Sequence, residues 1–267
     1  MIVEYHRPNT IRAAIRLLAR EQPPTFPLAG GTVINRPSPN PIAVVDLQDL
    51  DLRTIHRRGH HLDIGATATL QALLEGMETP KALARAIRHE ATYTLRHMKT
   101  VAGSLAAADG RSPFATTMLA MDAQIRMARI VSIDHEIGSE TISLGEIYPL
   151  RAERLKGRLI TEISIPLNIK LAYEYVARAP ADQPMVCVAV ARWSSGRTRI
   201  VLGGYGDAPI LAFDGPESLG GEMAAASAYS QAGDLWASAE YRQEMARILT
   251  LRCLSQLEKD ENSPKIA

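Results

Sequence analysis

The chain has 267 residues, 46% hydrophobic and 22% charged, enough for one large domain or two smaller ones. Its formal net charge of +1 creates no field that would steer it to nucleic acid or an anionic membrane. The two cysteines, Cys187 and Cys253, lie far apart with no Cys-x-x-Cys partner, which argues against a zinc or iron–sulfur site built from this chain alone.

In chain order, "VEYHRP" alternates as a strand and stops at Pro8. "NTIRAAIRLLAREQ" puts Ile11, Ala14, Ile15 and Leu18 on one helical stripe, with Asn9 or Thr10 as N-cap. "TFPLAGGT" is a short apolar strand entering a Gly-Gly turn, and "PIAVVDL" and "HHLDIGATATL" are β-rich. Thr69 caps a helix through "LQALLEGM", and "PKALARAIRHEA" is a second helix with Pro80 at its first position. "TVAGS" reads as a turn after a segment of strand character, and "FATTMLAMDA" as a buried helix. "QIRMARI" and "RLITEISIPL" are strands, and the polar break near residues 166 to 170 is the best domain boundary. Beyond it, "LAYEYVARA", "PMVCVAVARW" and "TRIVLGG" look like three antiparallel strands. Two helices follow, around "PESLGGEMAAASAYS" and "ASAEYRQEMARILTLRCLSQL", and a charged, frayed end closes an α+β order.

No apolar run approaches the roughly 20 residues of a membrane helix, and the absence of a signal-peptide pattern with few cysteines suggests a cytoplasmic protein. His60-His61 beside Arg57 and Arg58 has no carboxylate or Cys at ligand spacing and reads as a solvated hairpin rim. "GGYGD" (203–207) has no P-loop lysine and reads as a turn. Trp193 and Trp236 are core or interface residues. No G-x-S-x-G motif or Ser/His/Asp spacing supplies a nucleophile.

Two stretches carry the functional question. "PLAGGT" (27–32) and "TVAGS" (100–104) each place small residues where backbone N–H groups can approach a pyrophosphate, with a Thr or Ser hydroxyl beside them. Neither has Walker or Rossmann spacing. Their order in the chain is more specific. "VEYHRP" precedes "LAGGTVI", "LRHMKTVAGS" precedes "MLAMDA", and "RLITEISIP", "VLGGYGDAP" and "WASAEYRQEMARILTLRCL" follow. Over nearly its whole length the chain thus resembles the FAD-binding medium subunit of the molybdenum hydroxylases, the xanthine dehydrogenase and carbon monoxide dehydrogenase group.

The resemblance implies a two-lobed, PCMH-type FAD-binding domain over residues 1–165. A three-stranded antiparallel sheet with helices, like the C-terminal domain of CO dehydrogenase flavoproteins, would follow over 166–267. FAD would lie between the lobes. Leu28, Ala29, Gly30, Gly31, Thr32 and Val33 form one binding loop, and Thr100, Ala102, Gly103 and Ser104 the other. Asp109 offers a carboxylate and Arg111 a bidentate partner for a pyrophosphate. Leu159 and Ile160 match residues that flank the isoalloxazine, and Tyr175 stands where the family often has lysine. Val33, Ala102, Ser104 and Pro113 replace the family's Asp, Gly, Asn and Asp.

Electrons would arrive from a [2Fe-2S] subunit fed by a molybdopterin subunit, in a hetero-oligomeric oxidoreductase. A homodimer is the expectation for the chain in isolation. The four replacements support a second reading, a family member that lacks FAD and serves assembly. A stand-alone flavin reductase is a third, which the C-terminal half does not resemble.

Overall fold

Pro8 ends the first strand, and Thr10 starts the first helix by accepting a hydrogen bond from the Ala13 N–H. The computed structural model describes residues 1–34, 40–131 and 136–262. These divide into two units, with elements numbered in chain order. The first unit comprises Met1–Glu78, Ala91–Ala107 and Ala123–Ile165, and the second Thr79–Glu90, Ala108–Asp122 and Pro166–Ala267.

The first unit holds two sheets. Strands β1 (Ile2–His6), β2 (Thr25–Leu28) and β3 (Ile42–Asp46) form a parallel sheet of order β1-β3-β2. Helix α1 (Ile11–Leu18) is the crossover a parallel pair requires. Its Ala14, Ile15 and Leu18 share a core with Val45, Leu47 and Leu50.

Strands β4 (Ile55–Arg58), β5 (His61–Gly65), β6 (Gln124–Ile130), β7 (Ile137–Ser143) and β8 (Leu159–Pro166) form the second sheet, in the order β4-β5-β8-β6-β7. Asp63 ties β5 to β8, because the Ser164 hydroxyl donates to its carboxylate at 2.6 Å and Arg58 Nε does so at 2.6 Å. Short helices α2 (Leu70–Glu75), α4 (Tyr93–Met98), α5 (Val101–Ala106), α7 (Leu144–Ile147) and α8 (Arg151–Leu155) complete the unit. His60 and His61 lie exposed at the β4–β5 hairpin.

In the second unit, α3 (Lys81–Glu90) and α6 (Pro113–Ala120) pack with β9 (Ile169–Val176), β10 (Val186–Trp193), β11 (Thr198–Gly203) and β12 (Ile210–Gly215). Every residue of α6 is buried, as an apolar-all-round helix demands. The three expected antiparallel strands are present, and β12 adds a fourth outside β11. Helices α9 (Gly221–Ala228) and α10 (Ala239–Asn262) cover the sheet core, Ala246, Leu249 and Cys253 packing against Val188 and Val190. Helix α10 continues through part of the end read as frayed, and residues 263–267 of that end lie outside the described residues.

One expectation needs correction. The segment before "TVAGS" is helix α4, not a strand, and Thr100–Ser104 is the first turn of helix α5 rather than a loop. Tertiary bonds override the local pattern: Arg96 of α4 donates from Nε to Gln71 and from Nη1 to the Ala91 carbonyl.

Candidate flavin site

Within the first unit, a cleft of about 440 Å³ is lined by the β2 exit turn, the segment after β3, the β5–α2 connection and the α4–α5 junction. Ala29, Gly30, Thr67, Thr69, Met98 and Thr100 belong to it. Glycine is required at position 30, because a Cβ there would stand 1.9 Å from the Met98 carbonyl oxygen. Gly31 follows at φ +68°, a left-handed value that turns the chain. Among the described residues, the amides of Gly30, Gly31 and Thr32 donate no hydrogen bond. Of the three, Gly30 lines the cleft.

The second expected loop behaves differently. Val101 N–H donates to the Ala68 carbonyl, Ala102 N–H to Ala66, Gly103 N–H to the Thr100 hydroxyl and Ser104 N–H to the Thr100 carbonyl. These amides are therefore no cradle for phosphate. The segment offers instead the Thr100 hydroxyl hydrogen and the exposed surface of Gly103. Ala102 is helical and buried, so its methyl needs no left-handed backbone. Ser104 is buried too, and its hydroxyl has no hydrogen-bond partner.

The remaining expected residues fall in several places. Leu28 ends β2, and Val33 is exposed in the turn beyond Thr32. Leu159, expected beside a flavin ring, is a core residue at 2% exposure, packed with Ala14, Val45 and Ala128, because β8 is an inner strand. Ile160 is half-buried and pairs with Met127.

Asp109, Arg111 and Tyr175 belong to the second unit. Asp109 accepts from the Arg111 amide in a local turn. The Arg111 guanidinium lies 4.6 Å from the Trp236 ring centre, and the Tyr175 ring lies 3.9 Å from that of His89. The apolar Pro113 opens α6, where Ser112 caps and Glu90 accepts from the Ser112 hydroxyl at 2.7 Å.

Sequence reading missed Arg53, Gln48, Thr67, Thr69, His97 and Met98, which line the cleft. The Gly-small run "GATAT" was the available signal for two of them. Among the described residues lining the cleft none is acidic. Thr67 is 8% exposed, and its hydroxyl lacks any hydrogen-bond partner, an uncompensated burial that a ligand would relieve.

Chemistry by protein nucleophiles has little support. Both cysteines are buried, and burial pushes the Cys187 thiol up to about 12 and the Cys253 thiol up as well. Among the described residues no group of three His, Cys, Asp or Glu side chains is placed to hold a metal, and no helix is long and apolar enough to cross a membrane.

The Gly30 turn, threonine hydroxyls and a cation, with no carboxylate among the described lining residues, are groups of the kind that hold a phosphate-bearing ligand. Residues 1–168 match the family described as the FAD binding domain in molybdopterin dehydrogenase, and the chain belongs to that family. It is an FAD-dependent oxidoreductase subunit. The uncharacterised protein YgfM of Escherichia coli K12 is 28% identical, over 93% of this chain and 94% of its own length. The carbon monoxide dehydrogenase medium chain of Afipia carboxidovorans is 29% identical, over 95% and 96%. Among solved structures, reconstituted CO dehydrogenase from Oligotropha carboxidovorans has a TM-score of 0.78 at 24% identity, covering 96% of this chain and 97% of its own. Quinoline 2-oxidoreductase from Pseudomonas putida 86 has a TM-score of 0.74 at 22% identity, with 96% and 97% covered.

Proposed function

We propose that this chain is the flavin subunit of a molybdenum hydroxylase-type hetero-oligomer. The observation that carries the reading is the cleft, where Gly30 presses a turn with free amides against the α4–α5 junction. The Gly30, Gly31 and Thr32 amides would receive the pyrophosphate oxygens of FAD. Thr100 adds a hydroxyl from the facing wall, and Gly103 leaves that wall without a side chain.

When bound, FAD supplies electron transfer in steps of one or two, which couples a one-electron donor to a two-electron acceptor. The protein supplies position, charge and exclusion of water. A [2Fe-2S] subunit is the donor, itself fed by a molybdopterin subunit. The division of labour fits this chain, whose two cysteines are buried and separate. The relative from Afipia is itself described as the medium chain of its enzyme, which fits a chain that works beside others.

The test is the visible absorption spectrum of the purified protein before and after adding FAD. Flavin bands that persist through desalting are the expected result. A colourless protein that ignores added FAD overturns the reading.

A further inference from the structure

We infer that Arg53 is the cation that neutralises the diphosphate of the cofactor, and that through it the cleft selects a dinucleotide over an uncharged flavin. The inference rests on the reading of the cleft as the FAD site and adds a residue, and a basis for specificity, to it.

Among the described residues lining the cleft, Arg53 is the one permanently charged side chain. It is exposed, and it makes no hydrogen bond or ion pair with any described residue. Its charge acts on the Asp49 carboxylate of its own segment. That carboxylate is held in a bidentate pair by Arg7, Nε and Nη2 each donating at 2.7 Å. Arg7 therefore takes the hydrogen-bonding positions on Asp49, and Arg53 interacts with that carboxylate through charge alone, leaving its guanidinium donors for a ligand.

The backbone beneath Arg53 is fixed. Gly65 N–H donates to the Thr54 carbonyl at 2.7 Å, and Thr67 N–H donates to the Leu52 carbonyl at 2.8 Å, so the residue is bracketed by two bonds from the strand end that brings Thr67 to the cleft. This approach requires glycine at 65, because a Cβ there would lie 2.4 Å from the Leu52 carbonyl oxygen. Leu50 and Leu52 are tied into the core on the preceding side. A guanidinium without a hydrogen-bond partner among the described residues, on a pinned backbone and in a cleft whose described lining has no carboxylate, is a site for a multiply charged anion such as a diphosphate.

The experiment titrates flavin-free full-length protein with FAD, ADP and riboflavin by calorimetry, for wild type, Arg53→Gln, Arg53→Lys and Arg57→Gln. Arg57 is the charge control: it is exposed on the hairpin and already paired with Glu78. Arg53→Gln should weaken FAD and ADP roughly 10- to 100-fold, the range for a charged hydrogen bond, and leave riboflavin unchanged. It should also flatten the salt dependence of FAD binding, and Arg53→Lys should recover part of the loss. Arg57→Gln should match wild type.

Equal FAD and ADP affinity in wild type and Arg53→Gln overturns the role of Arg53 while leaving the FAD site standing. So does an equal loss in Arg57→Gln, which would mean only a diffuse field. Failure of the wild type itself to bind FAD or ADP overturns both the site and this role. Thermal melts of the four proteins guard against misfolding, and an exposed, unpaired Arg53 should leave them coincident.

Discussion

Ala29–Thr32 and Thr100–Ser104 have nearly the same composition and opposite states. The first is a turn whose Gly30, Gly31 and Thr32 amides donate to no described residue. The second is a helix start whose four amides after Thr100 all have acceptors inside the protein. Small residues therefore do different work in the two places. In the first they expose polar backbone, and in the second they keep a wall low. The "GGYGD" stretch is a third case. Gly204 N–H donates to the Gly110 carbonyl at 2.6 Å and Gly110 N–H to the Gly206 carbonyl at 2.8 Å, so that turn is closed upon a neighbouring one in the same unit. Glycine content marks close backbone approach, and only the hydrogen bonds distinguish a ligand cradle from a packed turn.

The strongest way to break the comparison is to fill both glycines. Gly30→Val drives a Cβ into the Met98 backbone and should cost about 3 kcal/mol, the upper end for overpacking, with complete loss of co-purifying flavin. Gly103→Val meets only the Thr100 hydroxyl, at 2.7 Å, and should cost about 1 kcal/mol, the worth of the disturbed cap. It should still lower flavin content by raising the wall. Melting temperature and the ratio of flavin to protein absorbance check both. Equal destabilisation by the two variants would remove the distinction between the segments.

A finer test uses Thr67. Its unpartnered hydroxyl makes Thr67→Val an exchange of a buried polar group for a methyl of the same shape. The flavin-free protein should become more stable by about 1 kcal/mol. Its gain in melting temperature on adding FAD should shrink, because the lost hydroxyl no longer contributes to binding. An unchanged FAD-induced shift would mean that Thr67 does not meet the cofactor.

The smallest effect concerns the frame behind the cleft. Burial pushes the Asp63 carboxyl up, but hydrogen bonds from Ser164 and Arg58 and the nearby charges of Arg58 and His56 outweigh it, so Asp63 ionises below the usual carboxylate range. A lowered folded value means stability that is present above the unfolded carboxylate value of about 4 and lost as pH falls through the folded value. Ser164→Ala should cost about 1 kcal/mol at pH 7. The difference from wild type should narrow in melts taken at progressively lower pH below about 4. A constant difference across that range would refute the linkage.

Much of the fold was legible because its signals are local. Thr10 and Thr69 each stand one residue before a helix and cap it with their own hydroxyl. The alternation in "QIRMARI" needs no partner to be read as a strand. Strand β12, as long as the β11 it pairs with, escaped; it has a register shift along that pairing. Arg53 escaped because an exposed arginine between Leu52 and Thr54 looks like any surface cation. Its meaning lies in Arg7 holding Asp49, 42 positions away in sequence.

By itself, then, the sequence determined family membership and many of the longer helices and strands, since capping, periodicity and motif order are encoded in neighbours along the chain. Only the tertiary structure decided that "TVAGS" is a helix turn with its amides in use, that Leu159 is core, and that Thr67 and Arg53 line one cleft. The physical reason is that availability for a ligand is a property of what each polar group fails to find in the folded chain, and that is fixed by contacts between distant segments.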